Sequence, residues 1–461
     1  MRERLKMAMG LSVSAVVLAL FLTNAPRLGA QVIQQGLQPG LNRTPDKPRP
    51  IALDEAIRLA QQYSPQAIQA EGVERTSLAV KTSAIGAILP SISLSAGRQI
   101  PLGGGGETRV NQNGEQVSVA QSATNSTGLS VNMQLFDGGQ KLYNLRTAKS
   151  EIVAAEANSI AVKYDVALNV KQQFYAVLAA LESQAAAQLQ MEQAQQQFKS
   201  SIAKVRAGVA TRSDSLRGVI QVGNAQLALI TAQSNLAVAN AALTRLVGSE
   251  QPVTADPNSV HENMAALPDS VQLAALAVNG PAVQQAQANL DAAIESRKAS
   301  KTTYLPSLSA SYSRSGSGID SRFGLGGDPY AYNGRLSFSL SYPLFNGFQR
   351  EEGVVRANVA ETNARASLRD ARLVAQQSLA QYIGTLRGAS QRVAVQVASV
   401  TAAEEDVRVQ QQRYNIGASV LLDLLTSQTT LAQAQQALIQ ARYDYRIARA
   451  QLEALIGRDL Q

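Results

Sequence analysis

Few side chains in this sequence are equipped for chemistry. It has no Cys and a single His, His261. Thiol catalysis, a disulfide framework and a Cys-based zinc site are therefore excluded. His261 lies in a proline-bearing stretch, Gly248–Pro268, without a cluster of carboxylates, and reads as a solvated residue, not a ligand. Two glycine-rich stretches, Gly103–Gly106 and Gly324-Leu325-Gly326-Gly327, could cradle a phosphate only with a strand before and a helix directly after. Each is followed by another strand-like segment, so both read as flexible loops. No nucleophile elbow, metal motif or nucleotide motif is present, and no His sits where it could act as a base. The expectation is a protein without catalysis, cofactor or metal.

What the sequence does carry is a repeated strand pattern. In Gly334–Gly347, Leu336, Phe338, Leu340, Tyr342 and Leu344 alternate with Ser337, Ser339, Ser341 and Pro343. Successive strand side chains point to opposite faces, so one face is apolar and the other mostly serine. Pro306–Gly316, Pro90–Gly97 and Gly128–Gly139 follow the same rule. Transmembrane barrel strands need about 9–11 residues, apolar outward and polar inward. Ile92, Leu94, Leu129, Val131, Met133, Leu308, Leu336, Phe338 and Leu340 are the residues expected to face lipid.

These strands belong to a tandem duplication. Leu89-Pro90-Ser91 recurs as Leu305-Pro306-Ser307, 216 residues on. Past the hairpin the offset becomes 209: Gly208 maps to Gly417, and Leu246-Val247-Gly248 to Leu455-Ile456-Gly457. The difference falls in the hairpin loop, where length varies freely. The first repeat spans 51–248, with a hairpin at 90–139, a long helix at 140–206 and a helix at 213–247. A linker, 249–268, leads to the second repeat, 269–457, with a hairpin at 306–348 and helices at 349–415 and 420–456. Gln140–Arg206 lacks proline and as one helix would be about 100 Å long. Its apolar residues Val170, Phe174, Val177, Leu181, Met191, Phe198, Ile202 and Val205 step like a coiled-coil seam. Leu379, Ile383, Leu386, Val393, Val397, Val400, Val407 and Tyr414 keep that frame in the second half. Pro65 is expected to break the first helix, Ile51–Ile88. The two shorter helices of each half are expected to stack end to end beside the long one.

The N-terminus is basic, then apolar over Met7–Leu22, then small up to Ala30, the layout of a signal peptide at 1–30. Gln31–Pro50 reads as an extended tether without a core of its own. The formal net charge is +8 over 461 residues, and cleavage would remove Arg2, Arg4, Lys6 and Arg27 against Glu3. The remaining charges are scattered, which disfavours nucleic acid as a partner. No later stretch reads as a transmembrane helix, so membrane insertion would rest on the strands.

Open sheet edges cannot face lipid, and four strands are too few to close a barrel. Copies must share them; two would give eight strands and three would give twelve. Small inward serines favour the larger, water-filled barrel. The competing architecture, a trimeric coiled-coil surface protein with a membrane anchor, would put its strands at one chain end instead of mid-chain in both halves.

Arg413–Gly457, the turn Arg206–Asp214, the leading LDEAIRLAQQYSP of Leu53–Pro65, both LPS turns, and FDGG and FNGF at the strand-to-helix joints are specific in order and spacing. Together they resemble the TolC family of outer-membrane efflux and secretion channels. The resemblance implies an α+β membrane protein: a homotrimer with a 12-strand outer-membrane β-barrel, four strands per chain, continued by a long periplasmic α-helical coiled-coil barrel. It implies a passive exit duct of a tripartite efflux or type I secretion system. A periplasmic adaptor protein and an inner-membrane pump of RND, ABC or MFS type would load it. Asp423 matches the family's periplasmic constriction. Tyr414 and Asp214, with Ser213 and Ser419 beside them, match contacts that hold the tip closed. Gly208, Val209, Ala210, Gly417 and Ala418 lie in the turns an adaptor grips. The best-known members carry an acidic residue where this chain has Thr426 and an arginine where it has Ser419. Three copies of Asp423 around an axis would form an acidic ring, a device for cation selectivity.

Overall fold

The computed structural model describes residues 48–102, 107–110, 114, 116–119, 123–259, 270–319, 331–458 and 460. The signal-peptide stretch, most of the tether, His261 and both glycine runs lie outside the described residues.

A short strand opens the described chain. β1 (Arg49–Ile51) pairs in parallel with β6 (Val253–Ala255), which follows the first repeat. The sequence reading of Gln31–Pro50 as a coreless tether, and of 249–268 as a plain linker, is corrected here: the two meet as strands. Ile51, Val253 and Ala255 are buried there, so the ladder's backbone hydrogen bonds and apolar burial together order the end of the tether.

Two helices follow, α1 (Leu53–Tyr63) and α2 (Pro65–Gly86). The break falls at Ser64, whose hydroxyl accepts from the amide of Ala67 while proline takes the first helical position. Next come β2 (Ser91–Gln99), a small hairpin β3 (Glu107–Val110) and β4 (Gln116–Val119), and β5 (Thr124–Phe136). The loop expected to be structureless thus carries its own paired strands. α3 (Gln140–Arg206) has 67 residues and α4 (Arg212–Val247) has 36. After β6 come α5 (Ser270–Val278), α6 (Pro281–Lys301), β7 (Ser307–Ile319) and β8 (Ala331–Ser341). The chain closes with α7 (Gln349–Asn415), again 67 residues, and α8 (Leu421–Ile456), again 36.

The four long strands form one antiparallel sheet in the order β2-β5-β7-β8. Register aligns like with like. Ile92 sits opposite Val131 and Leu94 opposite Leu129; Val131 then faces Tyr312, and Tyr312 faces Leu336. Ser93 sits opposite Ser130, Ser130 opposite Ser313, and Ser311 opposite Ser337. Serine hydroxyls bridge strands, at 2.6 Å for Ser93 and Ser130 and 2.7 Å for Ser311 and Ser337. A β-bulge between Gln134 and Phe136 sets Phe136 opposite Leu308. β8 stops at Ser341, not at Gly347 as the alternation had suggested. Pro343 has no amide to extend the ladder, and Arg350 takes the carbonyls of Pro343 and Leu344.

At the strand-to-helix joint the Asp137 carboxylate accepts from the amides of Gly139 and Lys141, capping α3. A Cβ on Gly138 would lie 2.6 Å from the Thr302 carbonyl, which accounts for glycine there.

α3 and α4 run antiparallel, with Phe198 seated on Gly218 and Gln173 bonded to the Ala239 carbonyl. The main core gathers Ile51, Ala56, Val170, Phe174, Val177, Leu243 and Val253 around the β1–β6 pair. Tyr443 closes it from α8; its hydroxyl donates to Glu182 at 2.7 Å, and burial pushes its pKa up. Toward the turns the seam changes character. Ala187, Ala194 and Ser201 are the buried positions there, seven residues apart, while Met191, Phe198 and Ile202 are only half-buried. Val397 is exposed as well. Small residues at heptad spacing let helix backbones approach closely, so large side chains move to the flanks.

The shorter helices meet end to end. A Cβ on Gly248 would lie 2.9 Å from Tyr63, and one on Gly457 2.8 Å from Pro281. One expectation fails: α4 is long and apolar enough to cross a membrane by length and composition. Gly218, Ala225, Leu243 and Val247 are the face it buries; Leu216, Ile220, Leu227 and Ile230 remain exposed.

Candidate functional site

The sequence-predicted residues fall at two places: the turns at the far ends of the long helices, and the sheet.

Both turns are built alike. In the first, the amide of Val209 donates to the Lys204 carbonyl and that of Gly208 to Val205. In the second, Ala418 donates to Arg413 and Gly417 to Tyr414. These are Schellman caps, and the C′ residue in each has positive φ: +75° at Gly208 and +77° at Gly417. Nothing lies within 4 Å of a Cβ added at either position, so conformation and not crowding requires glycine. Val209 and Ile416 project from the turns, 76% and 80% exposed.

The helices that leave the turns start differently. α4 opens with a capping box. Asp214 N donates to Thr211 Oγ1 at 3.3 Å, and the Asp214 carboxylate accepts from the Thr211 amide at 3.0 Å and hydroxyl at 2.8 Å. Thr-x-x-Asp is the spacing that announces this, and it was missed in the sequence. In α8 the N-cap is Val420, which has no side chain to cap with. Asp423 occupies the position equivalent to Asp214, yet among the described residues its carboxylate accepts only the Ser419 hydroxyl, at 2.9 Å, and is exposed. Asp214 is thus consumed by its own helix start, while Asp423 projects from the surface. Ser419 also contacts Gln410 Oε1 at 3.3 Å. Ser213 is exposed beside Asp214, and Thr426 turns its hydroxyl back to the Leu422 carbonyl.

Tyr414 packs with Leu421 and Leu424 into a small apolar cluster at the second turn. It is 9% exposed, and its hydroxyl is buried without a hydrogen-bond partner among the described residues. Within one chain, therefore, Tyr414 and Asp214 are not hydrogen-bonded. What does join the two turns is Lys204, whose ammonium lies 3.8 Å from the Tyr414 ring centroid. That contact had no signature in the sequence.

On the sheet, Ile92, Leu94, Leu336, Phe338 and Leu340 are well exposed; Leu129 and Met133 are at 36% and 37%. Val131 and Leu308 are half-buried between neighbouring strands. Among the described residues, the sheet's outer strands β2 and β8 each have an unpaired edge. An uncovered apolar face with open edges suits lipid and further strands, not water.

Among the described residues no group of His, Asp and Glu could hold a metal ion. The family model for outer membrane efflux proteins matches residues 57–249 and 273–458. Protein CyaE of Bordetella pertussis is 26% identical over 391 residues, covering 84% of this chain and 80% of that protein. The outer membrane protein TolC of Escherichia coli is 23% identical over 347 residues, covering 72% and 70%. The crystal structure of the outer membrane protein VceC of Vibrio cholerae superposes with a TM-score of 0.70 at 17% identity, covering 89% of this chain and 97% of that one. With two family-model segments spanning most of its length and a membrane-suited sheet joined to paired long helices, the chain belongs to the outer membrane efflux protein family.

Proposed function

We propose that three copies of this chain pool their strands into a 12-strand barrel in the outer membrane, continued across the periplasm by a tunnel of long helices. The chain is an outer-membrane exit duct. In this reading it is passive, and a periplasmic adaptor and an inner-membrane pump load it. The observation that carries the assembly is the sheet: four strands, one apolar face, one serine face and two open edges. The strands have 9, 13, 13 and 11 residues, enough to cross a bilayer. A barrel needs at least about eight strands, so the edges must be met by other copies. The exposed apolar stripe of α4 suits a neighbouring copy's helix.

The chain is read as two repeats, supported by the paired helix lengths and the matching glycine turns. The turns are read as the periplasmic tip, with Gly208, Val209, Ala210, Gly417 and Ala418 as the surface offered to an adaptor. Asp423 is assigned to the constriction. Its freedom from a capping box supports that role, because its charge stays available to an ion. The mature protein should require detergent, weigh three copies by native mass spectrometry and give discrete conductance in a planar bilayer. A monomer soluble without detergent would overturn the assembly.

A further inference from the structure

The apolar face of the sheet ends, at its loop side, in a cation with a built seat. Arg314 is opposite Leu129 and Gly334, on the same face as Leu94 and Leu336. Tyr332 lies flat on that face: a Cβ on Gly316 would come 2.7 Å from its ring, so only glycine leaves room for it. Its hydroxyl hydrogen-bonds Thr127 Oγ1 at 2.9 Å, pinning it across two strands. The Arg314 guanidinium carbon then sits 5.2 Å from the Tyr332 ring centroid. Arg98 is on the same face further toward the loops, opposite Asn125. Arg314 belongs to β7, an interior strand of the sheet, so a neighbouring copy at either edge does not cover it.

A guanidinium at the margin of hydrocarbon is costly unless its head reaches the headgroup layer and finds an anion there. The planar fork suits a phosphate's two oxygens, and the aromatic seat holds it in place beforehand. No ion pair joins Arg314 to a carboxylate among the described residues. Resting on the reading that this sheet spans the outer membrane with its loops outside, we propose that Arg314, seated on Tyr332, binds the phosphorylated headgroup of an anionic lipid in the outward leaflet. Arg335 supplies an internal control. It is opposite Ser313, hence on the serine face, though it lies next to the Arg314 row.

The test is native mass spectrometry of the detergent-purified oligomer with added lipid A, phosphatidylcholine or inorganic phosphate. The parent should retain lipid A over phosphatidylcholine. Arg314→Gln should cut retention about tenfold, the effect of losing a charge-assisted pair of hydrogen bonds. Tyr332→Ala, which removes the seat from another strand, should cut it severalfold, and Arg335→Gln should change nothing. Equal retention by Arg314→Gln and the parent overturns the site, as does an equal loss in Arg335→Gln. Full competition by inorganic phosphate would mean a free-anion site and overturn the lipid assignment. These outcomes concern protein that still needs detergent and conducts; a parent that needs no detergent would instead remove the membrane reading itself.

Discussion

Asp214 and Asp423 show how one position in a repeat divides into two roles. Both sit three residues after a helix N-cap, but only Thr211 can close a capping box. Asp423 is left with Ser419 and open solvent. If three copies of Asp423 ring the axis, Asp423→Asn should weaken block by multivalent cations in bilayer conductance, because the ring's charge is lost. Unchanged block would remove Asp423 from the constriction. The buried, unpartnered hydroxyl of Tyr414 bears on closure. Lone buried hydroxyls are costly, so a partner from a neighbouring helix is expected once the copies assemble. Tyr414→Phe combined with Asp214→Ala should therefore raise single-channel conductance. A double variant as narrow as the parent would show that these residues do not hold the tip.

At the scale of elements, the two repeats diverge where their helices abut. Ser64 and Gly280 occupy matching positions before a proline that starts a helix. Ser64 uses its hydroxyl as a cap. At Gly280 a Cβ would fall 2.3 Å from the Leu455 carbonyl, which is backbone and cannot yield. Copying the first repeat into the second by Gly280→Ser is thus expected to destabilise, by about 1–3 kcal/mol as overpacking does. The midpoint of thermal unfolding would report it, and an unchanged or raised midpoint would mean that the joint relaxes. A carboxylate holds the chain end beyond this joint. Glu453 accepts from Lys171 at 2.7 Å, Arg449 at 3.1 Å and the Leu460 amide at 3.2 Å. That polar knot ties the end of α8 to the middle of α3.

At the scale of the whole molecule, the described residues of one chain leave two surfaces unmatched. Its sheet has open edges, and α4 displays Leu216, Ile220, Leu227 and Ile230 to solvent. Both features are satisfied at once if copies close around an axis. If three copies assemble as proposed, Ile220→Gln with Leu227→Gln should weaken that assembly, seen as free monomer in native mass spectra. Helix content should hold, since neither side chain is buried within its own chain. An intact trimer would assign that stripe to something other than a second copy.

Period and offset made much of this protein legible in its sequence. Alternating serine in four segments specifies strands with a wet and a greasy face, since side chains alternate whatever the surroundings. Long proline-free runs specify helices, and their ends follow from Gly208, Gly248, Gly417 and Gly457, each at positive φ. What remained hidden depends on contacts between residues far apart in the chain. The β1–β6 pair joins segments some two hundred residues apart; the stack of Lys204 on Tyr414 and the seat of Arg314 on Tyr332 likewise depend on which helices and strands lie side by side. None of these has a local period to announce it. Each forms because folding brings an apolar or aromatic surface to a side chain that, in the extended chain, has only water beside it.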